Sequence, residues 1–295
     1  MTPRAHDVDV GIRLRLWDHG GDGPVVLIVH GYLDTGRSHD TLAALLTPGH
    51  RVLALDWRGH GASAHVGAGG SYHLLDHMKD LVGVLARVPS IVGRAVDVVV
   101  GHSMGGNIAL LVAGSVPDVV PRLVLLDTLG PPSEEVSAQP ERLGSVLRAH
   151  GDVKPFKRLS SRDEAIARVR ATNPGLSEEG ARRMTAHGVV DNDDGTVSFA
   201  LDDRLKGPAP VRYEERFYEV LCARVTAPVH LVRAENGYVS IDDDPGRSRA
   251  RLLDCVSETI ADVGHNIHVD APEACARAVR AVLARPQHER RARDA

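Results

Sequence analysis

Ser103 lies in the segment GHSMGG, residues 101–106, which fits the pattern G-x-S-x-G. The segment follows an apolar run typical of a buried strand and opens a stretch with the apolar spacing of a helix. A sharp turn between strand and helix holds the serine hydroxyl clear of the backbone, at a helix N-terminus whose N–H groups favour developing negative charge. The sequence therefore predicts a nucleophilic serine at position 103.

His265 is the predicted base for this nucleophile. A serine hydroxyl attacks well only when a base accepts its proton, and the base needs a carboxylate to fix its tautomer. For a serine on a strand-to-helix turn the chain order is serine, acid, histidine. His265 lies in DVGHNIHVDAPE, residues 262–273, after the last strand pattern and before the last helical one. We expect the neighbouring His268 to be a packed or hydrogen-bonded histidine.

Acyl transfer also requires two N–H donors for the oxyanion. One donor follows the nucleophile, so it is the backbone N–H of Met104. The other is expected in the loop after the first long strand, where HGYLDTG, residues 30–36, places Tyr32 just past a His-Gly pair. Glycine-flanked turns also hold His30, His60 and His102, and we expect structural roles for these three.

Short apolar runs alternate with helical patterns in the first half of the chain, which predicts a mostly parallel sheet with helices on both faces. The predicted strands are PVVLIVHG, RVLALDW, AVDVVVGHS and RLVLLD, followed later by APVHLVRA and SETIADV. Residues 130–210 change to polar, Arg-rich helical pieces, which predicts a helical cap, or lid, inserted into a core of residues 1–129 and 211–286. Residues 287–295 are expected to be a disordered tail.

These motifs resemble the α/β-hydrolase fold family across nearly the whole predicted core. The segments HGYLDTG, ALDWRGHGAS, GHSMGG, LVLLD and GHNIHVDAPE occur in the order and spacing of that family. Within the family, HGYLD, DDRLK, RAENGY and GHNIHV together resemble the serine hydrolase-like subgroup. The resemblance implies an α/β-hydrolase fold with a Ser-His-acid triad, and it says little about the substrate.

The position of the acid departs from the family pattern. Most members carry it just after the strand that corresponds to APVHLVRA, but here AENG puts Gly237 in the place of the aspartate. Asp127 ends the strand next to the nucleophile strand, and the C-terminal ends of parallel strands share one edge. Some α/β-hydrolases, haloalkane dehalogenases among them, relocate their acid in this way. We predict Asp127, and the open alternatives are Glu235, Asn236, Asp242, Asp243 and Asp244.

Three residues are candidates for the wall of a substrate pocket: Tyr32, Asp34 and Tyr238. For Asp34, which could hydrogen-bond a substrate, we favour an Asx turn that braces the oxyanion loop. Asp56 begins DWRGHG, where a carboxylate at a strand end commonly pins the following turn, and we expect it to be structural.

Composition limits the classes of function. The 295 residues carry a net charge of −4. The sequence shows no basic face with interleaved aromatic residues, so we expect no nucleic-acid partner. Neither a signal peptide nor a membrane-spanning stretch is visible, so a cytoplasmic protein is expected. The three cysteines are odd in number and widely spaced, so we expect reduced thiols, no metal site and no cofactor. The oligomeric state stays open.

The sequence thus predicts a serine hydrolase that acts on a small-molecule carboxylic ester, lactone or thioester through an acyl-enzyme on Ser103. Two alternatives from other classes remain. The same fold and triad can catalyse C–C cleavage, lyase or cyclisation steps on a small metabolite. A ligand-binding, receptor-like protein with weak turnover is the other alternative, for which Gly237 would be the supporting sign.

Overall fold

The computed structural model describes residues 2–67, 69–149, 152–207, 209, 211–242 and 244–285. The strands within these ranges are β1 (Arg4–Asp9), β2 (Arg13–Gly20), β3 (Val25–Val29), β4 (Arg51–Asp56), β5 (Val98–His102), β6 (Leu123–Leu126), β7 (Val189–Asp191), β8 (Val197–Phe199), β9 (Val229–Asn236) and β10 (Val256–Gly264). The helices are α1 (Asp40–Leu46), α2 (Leu74–Val92), α3 (Met104–Ser115), α4 (Gln139–Arg148), α5 (Arg162–Thr172), α6 (Glu178–Gly188), α7 (Glu215–Arg224), α8 (Gly246–Leu253), α9 (Ile267–Asp270) and α10 (Pro272–Ala284).

Eight of the described strands form one twisted layer in the order β1-β2-β4-β3-β5-β6-β9-β10. The pairs β1–β2 and β2–β4 are antiparallel, and all the others are parallel. The C-terminal ends of β5, β6, β9 and β10 therefore meet at one edge of the sheet, where catalytic groups collect in folds of this type.

The central strands are buried on both faces because their side chains alternate between two apolar layers. One layer joins Val99 and Leu125 to helices α2, α3 and α7. The other joins Val100 and Val124 to helices α1 and α10. The predicted architecture, a mostly parallel sheet with helices on both faces, is confirmed.

Four of the described strands were not anticipated from the sequence. Strands β1 and β2 form an antiparallel extension at one edge of the sheet. The hairpin of β7 and β8 lies in the stretch predicted to be helical, together with α4, α5 and α6. The predicted tail, residues 287–295, lies outside the described residues.

Cys222, Cys255 and Cys275 are free, as expected. None of the described helices combines the length and the apolarity that a bilayer crossing requires.

Candidate active site

Ser103 occupies a strained turn between β5 and α3. Its φ of 48° and ψ of −118° are unusual for a residue with a side chain, and its N–H donates to the Leu126 carbonyl over 3.2 Å. The turn needs a small residue at Gly105, because a β-carbon there would lie 2.4 Å from the Val29 carbonyl oxygen. The backbone thus has the strand, sharp turn and helix that the G-x-S-x-G pattern predicts.

Asp127 follows β6, the strand beside β5, and its carboxylate is buried at the shared edge of the sheet. Oδ1 accepts the Ala234 N–H over 3.0 Å, and Oδ2 accepts the Tyr238 N–H over 2.9 Å. His265 Nδ1 lies 2.6 Å from the same Oδ2. Since an ionised carboxylate is acceptor-only, His265 donates from Nδ1, which leaves Nε2 to accept a proton.

Gly237 makes room for this carboxylate. A β-carbon at position 237 would lie 2.3 Å from Asp127 Oδ2, 2.4 Å from Oδ1 and 2.6 Å from Cγ. Any side chain at that position would therefore displace the acid or its partner. The glycine that departs from the family pattern and the aspartate on the neighbouring strand are two parts of one arrangement.

The alternative acids lie elsewhere. Glu235 is exposed and its Oε2 accepts the Asp262 N–H over 2.9 Å, which ties β9 to the turn in β10. Asn236 is exposed, and so are Asp242 and Asp244. Asp243 lies outside the described residues. Of the described candidates, Asp127 alone contacts His265 through its side chain.

His265 follows β10 and is held on several sides. The Tyr238 ring stacks on its imidazole with centroids 4.1 Å apart, and the His102 ring lies 4.8 Å away. His102 Nε2 also lies 3.0 Å from the His265 carbonyl oxygen, a distance at which the ring N–H donates. In the described residues no hydrogen bond joins the Ser103 hydroxyl to His265, and such bonds commonly tighten only when substrate binds.

One predicted oxyanion donor follows Ser103 in the chain, and the loop that carries the other passes beside Ser103 in space. Met104 begins α3, so its N–H belongs to the first turn and has no partner inside the helix. The loop that carries Tyr32 passes close by, because a β-carbon on Gly31 would lie 3.2 Å from Ser103 Cβ. The Tyr32 side chain is half exposed, and its hydroxyl donates to the Leu205 carbonyl over 2.7 Å.

His30 and His60 have the structural roles expected for them. His30 Nδ1 donates to the Gly31 carbonyl over 2.7 Å, and its Nε2 accepts the Trp57 N–H over 3.0 Å. His60 Nδ1 lies 2.9 Å from the Arg58 carbonyl oxygen. Burial lowers the pKa of both imidazoles, so they are neutral supports of the loop.

Asp56 pins the turn that follows β4, as predicted. It accepts the Gly36 N–H over 2.7 Å, the Ala62 N–H over 2.9 Å and the Trp17 indole N–H over 2.9 Å. Burial is the largest influence on this carboxyl group, and it raises the pKa of Asp56.

Asp34 does not line the predicted pocket, and its contacts agree with the bracing role that the sequence favours. Only 3% of the residue is exposed, and Oδ2 contacts the Ser38 hydroxyl at 2.8 Å and His268 Nε2 at 3.3 Å. Burial favours the neutral acid, but the hydrogen bond and charge of His268 outweigh burial and hold the pKa of Asp34 below its ordinary value. The carboxylate braces the interior because its loop turns inward. Tyr238, by contrast, is 71% exposed beside His265.

The stretch between β6 and α7 lies against the loops that hold these residues. Asp202 accepts the Tyr72 hydroxyl over 2.6 Å, and its N–H donates to the Gly59 carbonyl over 2.8 Å. On the other side, Asn173 bonds Asn266 over 3.0 Å, next to His265. Together with the bond from the Tyr32 hydroxyl to Leu205, these contacts join the stretch to the oxyanion loop, the loop after β4 and the histidine loop.

Two known proteins are similar to this chain over most of its length. A serine hydrolase-like protein of Danio rerio is 27% identical over 278 residues, which cover 89% of this chain and 82% of that protein. The esterase Rv0045c of Mycobacterium tuberculosis is 27% identical over 267 residues, or 90% of this chain and 84% of that one. These relatives confirm the resemblance to serine hydrolase-like proteins.

A solved structure and a family model also match this chain over most of its length. The crystal structure of the hypothetical protein PA1622 from Pseudomonas aeruginosa superposes with a TM-score of 0.85 at 29% identity, over 97% of this chain and all of that one. Residues 25–278 match the sequence model described as the alpha/beta hydrolase family. The chain therefore belongs to the alpha/beta hydrolase family.

Proposed function

We propose that this protein is a serine hydrolase that cleaves a carboxylic ester, with lactones and thioesters as close variants. One observation carries the proposal: the 2.6 Å contact between His265 Nδ1 and Asp127 Oδ2 at the sheet edge where Ser103 occupies its strained turn. An imidazole oriented by a buried carboxylate is the base that a serine nucleophile requires. An ester as substrate is consistent with the relative named an esterase.

In the proposed reaction, His265 Nε2 takes the proton of Ser103 as the hydroxyl oxygen attacks the substrate carbonyl. Asp127 keeps the proton of the imidazole on Nδ1 and stabilises the imidazolium that forms. The backbone N–H groups of Tyr32 and Met104 donate to the oxyanion. His265 then protonates the leaving alcohol or thiol, and an activated water releases the acyl group by the same steps.

Gly237 does not favour the receptor-like alternative. The absence of an acid at this position was its supporting sign, but an acid on the neighbouring strand contacts His265 and needs that glycine for space. The same residues could also catalyse C–C cleavage, lyase or cyclisation steps, but no contact of the described residues favours these reactions over hydrolysis.

The stretch between residues 130 and 210 is proposed to act as the lid over the substrate. The hydroxyl of Tyr32 bonds Leu205, so the loop proposed to hold the oxyanion also touches this stretch. Tyr32 and Tyr238 are both exposed aromatic residues beside the proposed catalytic groups, and they would form opposite walls of the acyl or alcohol pocket.

Covalent labelling tests the proposal. A fluorophosphonate should modify the folded protein once, and peptide mapping should place the adduct on Ser103. Ser103→Ala should abolish the adduct and His265→Ala should suppress it, whereas Ser90→Ala, a change at an exposed serine of α2, should leave labelling unchanged. Folded wild-type protein that neither labels nor turns over a panel of esters, lactones and thioesters would contradict the proposal.

Asp127→Asn tests the assignment of the acid. The amide keeps the size of the side chain but can present an N–H to Nδ1, which favours the wrong imidazole tautomer. We expect kcat to fall by as much as ~10⁴-fold. Steady-state kinetics on the best ester of the panel measures the loss, and a drop below about tenfold in a folded variant would remove Asp127 from the triad.

A further inference from the structure

A second group of polar side chains lies beneath the proposed catalytic residues and takes no part in the proposed reaction. Asp34, His39 and His268 are all buried, and one ligand atom from each lies within 4.8 Å of the other two. No local motif indicates such a group, because Asp34 and His39 follow β3 whereas His268 lies in α9, more than 200 residues later.

The distance between Asp34 and His268 suits two neighbouring ligands of a small tetrahedral ion, and the ligand atom of His39 lies within 4.8 Å of both. Zinc bonds to nitrogen and oxygen are about 2.0–2.1 Å long. At tetrahedral angles, two neighbouring ligand atoms are then about 3.3–3.4 Å apart. Asp34 Oδ2 lies 3.3 Å from His268 Nε2. The Ser38 hydroxyl oxygen adds a fourth atom, 2.8 Å from Asp34 Oδ2, 3.0 Å from His39 Nδ1 and 3.3 Å from His268 Nε2.

The cluster also contains polar atoms without hydrogen-bond partners in the described part of the chain. Asp34 Oδ1 and the Thr35 hydroxyl are buried and unpaired, as are the second ring nitrogens of His39 and His268. A buried polar atom without a partner costs free energy, and a carboxylate oxygen costs more than a neutral group. A bound cation would take the place of the positive charge of His268 beside the Asp34 carboxylate.

We propose that Asp34, His39 and His268 bind a divalent transition-metal ion, with Zn²⁺ as the best match. Two imidazoles and a carboxylate select Zn²⁺ or Co²⁺ over Mg²⁺ and Ca²⁺, which prefer sets made of oxygen alone. The Ser38 hydroxyl or a water completes the coordination. The site is structural rather than catalytic, because its ligands are buried away from the substrate.

Metal binding would stabilise the support of His265. His268 lies in α9, which begins just after His265, and its ring packs on His102 with centroids 4.2 Å apart. His102 in turn contacts the His265 carbonyl oxygen at 3.0 Å. An ion that joins α9 to the loop after β3 would therefore reduce the movement of the proposed base.

Metal binding can be measured without any enzyme assay. Full-length protein stripped with a chelator is incubated with one equivalent of Co²⁺ or Zn²⁺ and passed over a desalting column. We expect one ion per chain to be retained, visible absorption typical of four-coordinate Co²⁺, and a melting temperature that rises by about 5–10 °C at a hundredfold excess of Zn²⁺ over its Kd. X-ray absorption on the zinc form should show two imidazoles and no sulfur.

Variants separate this site from adventitious binding. Asp34→Asn and His39→Gln should each abolish retention of the ion, and circular dichroism checks that both variants fold. His187→Gln is the matched control, since its imidazole is 43% exposed and lies outside the cluster. No retained ion in the wild type, sulfur ligation, or undiminished binding by folded Asp34→Asn and His39→Gln would overturn the proposal. If the variants do not fold, X-ray absorption on the wild-type zinc form still tests the proposal, because it identifies the ligands directly.

Discussion

Gly237 and Asp127 form one unit at the residue scale, and Gly237→Ala is its simplest test. The added methyl group would lie within 2.6 Å of three carboxylate atoms, so Asp127 must turn away from His265 or push β9 outward. Displacement of a positioning group by about 1 Å can cost on the order of 100-fold. We expect ester kcat/KM to fall by about that factor.

The matched control for this change is Asn236→Ala, which alters the adjacent exposed residue without placing an atom near Asp127. Its kinetics should stay within about twofold of the wild type. If Gly237→Ala were as active as this control, Asp127 could keep its contact with His265 despite a β-carbon at position 237. The inference that Asp127 requires a glycine there would then be wrong.

Tyr238 contributes to the site in two separable ways. Its backbone N–H donates to Asp127 whatever the side chain, whereas its ring stacks on His265. Tyr238→Phe should keep both contacts and most of the activity. Tyr238→Ala should lose the stacking, worth about 0.5–1.5 kcal/mol, and lower kcat/KM by about 2–10-fold. Kinetics on a short ester, which reaches little of the pocket wall, measures this difference, and equal rates for the two variants would show that the ring does not position His265.

At the scale of elements, Tyr32 connects the oxyanion loop to the stretch proposed as a lid. Tyr32→Phe removes the bond to Leu205 while its backbone N–H and its ring remain. If this stretch covers the substrate, KM should rise by about 3–10-fold for long-chain esters, the worth of one hydrogen bond, and kcat for short esters should change little. A uniform fall of kcat across chain lengths would instead place the defect in the oxyanion loop.

The elements that the sequence predicted well are those with one strong local signal. Strands β3 to β6 are continuous apolar runs because they are buried on both faces, and the turn at Ser103 carries its own glycine pattern. Strand β2 was not anticipated, although buried Leu14 and Leu16 alternate with Arg13 and Arg15 in the pattern of a half-buried strand. The short hairpin of β7 and β8 was missed because its strands have three residues each.

Contacts between distant segments explain the rest. The sequence predicted Asp127 because parallel strands share an edge, which is a property of topology. It could not predict that Gly237 touches that carboxylate, nor that Asp34 turns inward to His268, because both depend on the three-dimensional course of loops. Of the three pocket candidates, Asp34 alone is buried, in keeping with the bracing role that the sequence favours for it.

At the scale of the whole molecule, Asp18 ties the antiparallel edge to the parallel core. Its buried carboxylate on β2 contacts Arg51 at the start of β4, with Oδ1 to Nε at 2.9 Å and Oδ2 to Nη2 at 2.5 Å. Oδ1 also accepts the Gly20 N–H over 2.9 Å, and His6 on β1 lies 3.4 Å from Oδ2. Burial opposes ionisation, but these hydrogen bonds and the charge of Arg51 lower the pKa of Asp18 below its ordinary value.

This shift predicts how global stability depends on pH. Because the folded pKa of Asp18 lies below the unfolded value of about 3.9, the ionised group stabilises the fold above that pH, and the contribution is lost as pH falls through the folded pKa. Asp18→Asn should lower the free energy of unfolding by about 1–3 kcal/mol at pH 7 and by less at pH 3. Urea unfolding at both pH values measures the difference in free energy of unfolding between the wild type and Asp18→Asn. The control variant Asp22→Asn, at an exposed aspartate nearby, should unfold with the same free energy as the wild type. If Asp18→Asn lost the same unfolding free energy at pH 3 and at pH 7, Asp18 would act by packing rather than by charge.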